Sequence, residues 1–276
     1  MVREIGLHIR LTDSLQAMME KARRLNLPFF QSFFISKTTG KLIMPTDEDV
    51  HYFLDERRRH FKNLYVHGSY WINLAGINNF NQRELHRELF IARKLEFTHI
   101  ILHPGSAKGA EHKSEGIDAL AYWLNKFFER EQEIQFILEN TAHSGMSIGG
   151  DLQDFVELLG KLNKPERISF CIDTAHAYSY GYNIVDTQGR EDFIKLLDTT
   201  IGINNIALIH LNDTCEQLGS YIDKHETIGK GTIGIEPLRA FIMHEKLKEI
   251  PVLMELPVLE ETEEKEMLDM VRSWHQ

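Results

Sequence analysis

Short apolar runs in this chain end repeatedly at a histidine or a carboxylate, at intervals of 34 to 45 residues. Six runs end this way, at His67, His103, Glu139, Asp173, His210 and Glu255. Two further apolar runs, Ile5–His8 and residues 29–35, precede them at a similar spacing. Because one β-strand followed by one α-helix occupies about this length, the repetition predicts eight strand–helix units.

Eight strand–helix units predict an α/β fold of the (β/α)8 TIM-barrel type, and 276 residues suffice for one such domain over residues 1–276. The active site of a TIM barrel lies at the carboxyl ends of its strands. Unrelated polar strand ends would not recur with this regularity, although a strand-terminal aspartate such as Asp173 often serves only to cap the next helix. The sequence therefore predicts one site built from many strands.

Local patterns place the helices between these strands. Asp13 or Ser14 can cap a first helix, and Thr46 with the three acids after it can open a second. Residues 212–234, directly after His210, show no clear periodicity. Long loops at the catalytic face of a barrel commonly contribute functional residues, so this segment is predicted to belong to the site.

Composition restricts the protein class and its surroundings. No apolar run approaches the ~20 residues that span a bilayer, and the first residues have no apolar signal region, so we expect a cytoplasmic protein without membrane contact. Cys171 and Cys215 are expected to be free thiols of a reducing compartment. The net charge of −10 argues against a broadly basic nucleic-acid binder, so any nucleic acid would need a local cationic patch or bound metal.

Further ligand-type residues accompany the strand ends. His176 follows Asp173 by three residues, and Asp223 and His225 stand two apart in the long loop, where extended backbone points both the same way. The total of five histidines and four carboxylates exceeds the needs of one metal and suits two or three. Their mixed nitrogen and oxygen chemistry favours zinc, or manganese, over magnesium or calcium. His8, at the end of the first strand, either supports a ligand or is simply packed.

Six motifs, in order, resemble those of the endonuclease IV family, zinc-dependent barrel enzymes that cleave DNA at abasic sites. The resemblance extends from Gly6 to Glu255, nearly the whole chain. The motifs are His67-Gly-Ser-Tyr-Trp-Ile-Asn-Leu, His103-Pro-Gly-Ser, Glu139-Asn-Thr-Ala, Cys171-Ile-Asp-Thr-Ala-His, His210-Leu-Asn-Asp and Asp223-Lys-His.

The resemblance implies three zinc ions per monomer, with manganese a possible replacement for one. The implied ligand sets are His67, His103 and Glu139; Glu139, Asp173, His210 and Glu255; and His176, Asp223 and His225. Glu139, shared by two ions, and Glu255 are the implied catalytic carboxylates. The implied activity is hydrolysis of the phosphodiester 5′ to an abasic site in double-stranded DNA, leaving a 3′-OH, with 3′-repair phosphodiesterase activity. We expect a monomer.

The resemblance also assigns two residues to the DNA. Tyr70 and Trp71 stand where the family has residues that wedge into the base stack, and the alternative is that Trp71 only lines the barrel rim. The sequence departs from the family after the second strand, where an arginine is usual. Here Lys37 and Lys41 stand in that region, and a lysine lacks the planar guanidinium that stacks on bases.

Two other classes of function remain open at this level. A metal-dependent sugar isomerase or epimerase on a related barrel would need fewer ligands, and Asp223 and His225 would then be superfluous. A barrel that only binds nucleic acid would retain nine buried charges or donors without using them, which is costly.

Overall fold

Eight parallel strands close into a barrel in chain order, as the sequence predicts. The computed structural model describes residues 3–11, 14–35, 41–77 and 82–275. The strands are β1 (Ile5–His8), β2 (Phe30–Ser32), β3 (Tyr65–His67), β4 (His99–Leu102), β5 (Gln135–Glu139), β6 (Ile168–Asp173), β7 (Ile206–His210) and β8 (Val252–Met254). The chain is therefore a single-domain (β/α)8 TIM barrel, and β1 pairs with both β2 and β8.

Helices surround the barrel between successive strands. They are α1 (Leu15–Arg24), α2 (Asp47–His60), α3 (Gln82–Lys94), α4 (Lys113–Arg130), α5 (Gln153–Leu159), α6 (Thr174–Tyr180), α7 (Thr187–Thr200), α8 (Ile235–Ile242) and α9 (Glu261–Ser273). Short 3-10 turns at Pro165–Arg167 and Ile203–Asn205 lead into β6 and β7. Residues 211–234 contain no helix or strand, in agreement with the predicted long loop.

The predicted helix starts have a clear physical cause in the structure. The Ser14 hydroxyl accepts from the Ala17 N–H and caps α1, whereas Asp13 lies outside the described residues. Thr46 and Asp49 cap each other reciprocally at the start of α2. Such caps satisfy backbone N–H groups that lack partners in the first helical turn.

The barrel interior has an apolar layer, which we call the floor layer. It consists of Phe29, Tyr65, Ile101, Ile137, Cys171, Leu208 and Leu253, all buried. On β1 the corresponding position is Gly6, where an added Cβ would lie 2.6 Å from the Phe29 ring. The Phe29 ring therefore occupies the space that a side chain on β1 would need. Side chains packed in layers of this kind fill the interior of a TIM barrel.

Two features bear on the predicted surroundings of the protein. Within the described residues, no helix combines the length and apolar character needed to cross a bilayer. Cys171 is buried in the floor layer and Cys215 is exposed, and both are free thiols as expected.

Candidate metal centre

A ring of polar side chains lies next to the floor layer, with one residue in or directly after each strand. We call it the polar ring, and it consists of His8, Gln31, His67, His103, Glu139, Asp173, His210 and Glu255. Each member follows a floor-layer position by two residues, as Glu139 follows Ile137. Because side chains on a strand alternate between faces, positions two apart both point into the barrel.

Glu139 lies at the middle of the polar ring, fully buried at the end of β5. Its Oε2 atom is 3.0 Å from His67 Nε2 and 3.3 Å from His103 Nε2. Its Oε1 atom is 3.0 Å from His210 Nδ1. The two oxygens of one carboxylate therefore face two different groups of histidines, as the bridging role in the resemblance requires.

The group on the Oε1 side contains the other ring carboxylates. His210 Nδ1 lies 3.4 Å from Glu255 Oε2 and 3.8 Å from Asp173 Oδ2. Together with Glu139, these residues have ligand atoms that all lie within 4.8 Å of one another. Cys171 also approaches Glu139 and His210 within that distance, as a floor-layer thiol.

A third group lies beside the ring, on α6 and the long loop. His176 Nε2 is 3.0 Å from Asp223 Oδ1, and His225 Nε2 is 3.6 Å from the same oxygen. Ligand atoms of His176 and His225 also lie within 4.8 Å of Asp173. All nine predicted ligand residues thus lie in three adjoining groups, and Asp173 adjoins both the second and the third.

Asp173 combines the two roles that the sequence left as alternatives. Its Oδ1 accepts from the His176 backbone N–H at 2.9 Å, which caps α6. Its Oδ2 faces His210 and His225, 3.8 and 3.5 Å away. Because Oδ1 of Asp173 caps α6, its Oδ2 remains available to the site.

The charges of the three groups depend strongly on each other. Burial alone would lower the pKa of His176, but the adjacent Asp173 and Asp223 carboxylates raise it well above its ordinary value. Burial likewise opposes ionisation of Glu139, yet His210 and His103 hold its pKa well below the usual range. For Glu255, the same competition lowers the pKa to about 2. These carboxylates stay ionised only beside positive charge, which protons on the histidines or bound cations can supply.

Two buried nitrogen atoms indicate that cations, rather than protons alone, fit the site. His176 Nε2 and His225 Nε2 have no hydrogen-bond partner among the described residues, although carboxylate oxygens lie close to both. Buried polar atoms in native proteins almost always have a partner. Imidazole nitrogens facing carboxylate oxygens around a common point are the donor set of a transition-metal site. The buried clusters could therefore bind metal ions.

Gln31 is a ring member that the sequence prediction missed. Its Nε2 donates to Glu255 Oε1 at 2.6 Å and to His8 Nδ1 at 2.9 Å, and its Oε1 accepts from His210 Nε2 at 2.9 Å. Because His210 donates from Nε2, the Nδ1 of the neutral imidazole carries no proton and can be a ligand to a cation beside Glu139. The sequence signal that could have identified Gln31 is its position two residues after Phe29, because ring residues on the other strands also follow an apolar residue by two. His8 is thus in contact with the site without being in a ligand group.

Asn212 orients two carboxylates at once. Its Nδ2 donates to Asp173 Oδ2 at 2.6 Å and to Glu255 Oε2 at 3.2 Å. Its Oδ1 accepts from the Glu255 backbone N–H at 2.9 Å. One buried amide therefore fixes both carboxylates relative to β7.

The long loop is held in place by the buried Asp213 carboxylate. This carboxylate accepts hydrogen bonds from the backbone N–H groups of Gly229, Gly231 and Ile233 at 3.0 to 3.2 Å. A Cβ at Gly231 would lie 2.4 Å from Asp213 Oδ1, so the close approach requires glycine. Fixing both ends of the loop brings Asp223 and His225 back over the strand ends.

Tyr70 and Trp71, the predicted DNA contacts, project from the loop after β3 and are 76% and 71% exposed. The base of this loop is held by Glu88 of α3, which is 1% exposed and accepts from the Ser69 N–H through both oxygens, at 3.2 and 3.3 Å. Large exposed aromatic side chains on a fixed loop can contact a partner, and the alternative that Trp71 only lines the barrel rim stays open. Lys41 is exposed, and Lys37 lies outside the described residues.

A cleft of about 640 Å³ opens from the polar ring to the surface. Both exposed aromatic residues line it, together with the ring members His8 and Glu255 and with Asp223 and His225. The cleft therefore connects the candidate ligands to the surface on which Tyr70 and Trp71 stand.

Comparisons with known proteins agree with this geometry. The family model of the xylose isomerase-like TIM barrel matches residues 19–274. The chain is 31% identical to a probable endonuclease 4 of Thermosipho melanesiensis over 263 residues, which are 92% of each chain, and 30% identical to that of Thermosipho africanus, covering 97% of each.

Solved structures share the fold. Endonuclease IV from Thermus thermophilus superimposes with a TM-score of 0.83 at 24% identity, covering 98% of each chain. A D-tagatose 3-epimerase-like protein gives 0.68 at 20% identity, also covering 98% of each. With a family match over nearly the whole chain and relatives at about 30% identity, this chain belongs to the endonuclease IV family of TIM barrels.

Proposed function

We propose that this protein is a zinc-dependent apurinic/apyrimidinic endonuclease that hydrolyses the phosphodiester 5′ to an abasic site in double-stranded DNA and leaves a 3′-OH. The observation that supports this most is the arrangement around Glu139, whose two oxygens face two separate histidine groups. A site that holds adjacent divalent cations is suited to phosphodiester hydrolysis. Removal of blocked 3′ ends would be the accompanying repair activity.

Three ions would be held by the three ligand groups, zinc in each or manganese in one. The first set is His67, His103 and Glu139; the second is Glu139, Asp173, His210 and Glu255; the third is His176, Asp223 and His225. When bound, the ions would supply Lewis acidity toward phosphate oxygens and activation of water. With four carboxylates against three divalent ions the site would have about two excess positive charges, which attract phosphate to an acidic protein.

The protein's own groups would position the reacting parts. Gln31 and Asn212 hold the ring carboxylates and His210 in fixed orientations, so little reorganisation is needed during the reaction. Tyr70 and Trp71 would enter the base stack at the lesion. Unstacking a step costs a few kcal/mol and least where a base is already missing, which would provide selectivity for abasic sites.

The third ligand group favours this function over sugar isomerisation. One or two metal ions suffice for an isomerase, and the contact of His176 with Asp223 would then have no role. The similarity of this chain to the D-tagatose 3-epimerase-like protein is one of fold alone. A barrel that only binds DNA would not need the ligand groups at all.

The test is incision of a duplex containing one abasic-site analogue, with the metal content of the same preparation measured by elemental analysis. We expect a cut 5′ to the lesion with a 3′-OH, close to three transition-metal ions per chain, and loss of cutting after chelation. A His176→Ala variant should lose one ion. A single ion in the parent protein, unchanged in this variant, would return the isomerase to contention. Light scattering should show a monomer.

A further inference from the structure

Arg10, two residues beyond the end of β1, is a half-buried cation held by backbone carbonyls. Its Nη2 donates to Leu256 O at 2.7 Å, and its Nη1 donates to Pro257 O at 3.3 Å. Both carbonyls belong to the segment directly after Glu255. Two hydrogen bonds from one planar guanidinium fix its orientation.

The charge of Arg10 has no carboxylate partner among the described residues, since no carboxylate oxygen of theirs lies within 4.0 Å. A guanidinium has five N–H groups, and the two carbonyls use only part of them. A half-buried guanidinium with N–H groups still available toward a cleft can bind an anion there. The unmet charge thus points to an anionic ligand.

Arg10 lines the same cleft as Tyr70 and Trp71. Asp223 and Glu255 also line it, and their negative charges would repel a polyanion before any cation is bound. Lys224 is the other lysine or arginine in the described lining, and it is exposed and close to the Glu216 carboxylate. Arg10 is therefore the fixed positive charge of the cleft.

We propose that Arg10 binds one backbone phosphate of the DNA strand in this cleft, beside the aromatic pair. This inference rests on the proposed function. A phosphate oxygen pair matches the remaining donors of a guanidinium whose position the two carbonyls already fix. The contact would raise affinity for DNA without distinguishing bases, and would place the backbone relative to Tyr70.

A purely structural role for Arg10, tying the segment after β8 to the segment after β1, predicts different behaviour. Loss of the two carbonyl contacts would then disturb Glu255 and reduce the metal content. Affinity for DNA would then fall together with the metal content. The two roles therefore differ in metal content, and the slopes are compared at full metal content.

The test is the dissociation constant for an abasic duplex with a phosphorothioate at the scissile linkage, measured between about 50 and about 200 mM salt. Loss of one phosphate contact in Arg10→Gln should reduce the slope of log K against log[salt] by about 0.9. Because a contact driven by counter-ion release disappears near 1 M salt, the affinity at 0.1 M should fall about eightfold. Arg10→Lys retains the charge and should retain the slope.

The matched control is Arg57→Gln. Arg57, on α2, is also half-buried and donates to the carbonyls of Glu96 and Phe61 at 3.0 Å. It differs from Arg10 in lying 3.8 Å from a carboxylate oxygen of Glu96 and in not lining the cleft. This variant should lose stability and keep the parent slope. An unchanged slope in Arg10→Gln, or a slope change equal to that of Arg57→Gln, would overturn the proposal. So would loss of metal from Arg10→Gln with the slope preserved.

Failure of this inference is distinct from failure of the proposed function. If the parent protein binds abasic and intact duplexes equally and cuts neither, the proposed function is wrong. If the parent protein cuts abasic DNA and only the Arg10→Gln slope is unchanged, the assignment of Arg10 alone is wrong.

Discussion

The floor layer and the polar ring are built from the same strands, two residues apart, and have opposite chemistry. Floor residues such as Ile137 and Leu208 are buried against each other and contribute by packing. Ring residues such as Glu139 and His210 are equally buried but are bound to each other through charge. Burial alone therefore does not separate structural from functional positions in this barrel. The distinction lies in what each buried atom contacts.

The largest expected effect comes from Glu139→Gln in the polar ring. An amide offers one neutral oxygen and an NH2 group that repels a cation, so two adjacent ions would lose the negative charge between them. We expect loss of at least one metal ion and a fall in DNA cleavage by several orders of magnitude, with little loss of fold. Elemental analysis, circular dichroism and the incision assay measure the three quantities.

The control for this variant is Asp223→Asn, which touches only the third group and should do less. Full metal content with near-normal cleavage in Glu139→Gln would refute the bridging assignment.

Leu208→Ala in the floor layer should instead reduce the stability of the protein and leave metal binding intact. Removing a fully buried leucine side chain leaves a cavity, and the free energy of unfolding should fall by about 2 to 5 kcal/mol. The ring should still bind its metals at low temperature, since no ligand is changed. Denaturant unfolding followed by elemental analysis tests this; complete loss of metal with unchanged stability would mean that the two layers are not separable.

Tyr70→Ala and Trp71→Ala should weaken binding to abasic DNA and leave the floor layer and the polar ring intact. Each lost stacking contact should cost about 1 to 3 kcal/mol of binding to abasic DNA. Because the aromatic side chains are largely exposed, the stability of the protein should change little. Equal losses on abasic and intact duplexes would assign the pair to general binding instead of lesion recognition.

The last expected effect is a pH dependence at Glu88, the buried carboxylate below the aromatic loop. Burial raises its pKa to about 7, against the hydroxyl and backbone N–H of Ser69 and the nearby His67, which lower it, while Glu84 adds to the rise. The folded protein therefore holds this proton more tightly than the unfolded chain, so stability is present at low pH and falls as pH rises from about 4.5 to about 7.

Glu88→Gln removes this titration. The unfolding free energy of the variant, relative to that of the parent, should increase by roughly 3 kcal/mol between pH 4.5 and pH 8. Urea denaturation at both pH values measures the difference, with Glu129→Gln, at an exposed position of α4, as control. The same difference in both variants would exclude burial of Glu88 as the cause.

The sequence predicted most of the fold and the ligand groups, because strand ends are marked by a change from apolar to polar residues. It missed Gln31 because the apolar residues Phe33 and Phe34 continue after β2 and hide its end. It also missed Asn212 and Asp213, whose roles depend on hydrogen bonds to residues distant in the chain. Alternation along each strand can be predicted locally, whereas these contacts exist only after the barrel has closed.

The placement of one polar residue on every strand has a consequence for how such proteins diversify. Each ring position can change its side chain while the floor position two residues earlier keeps the strand packed, so chemistry can vary with the backbone held constant. A barrel of this type offers eight positions for donor atoms at one height. Proteins of the same architecture can thus differ in the number and kind of ions they bind through few substitutions, and an epimerase-like protein with the same fold is compatible with that freedom.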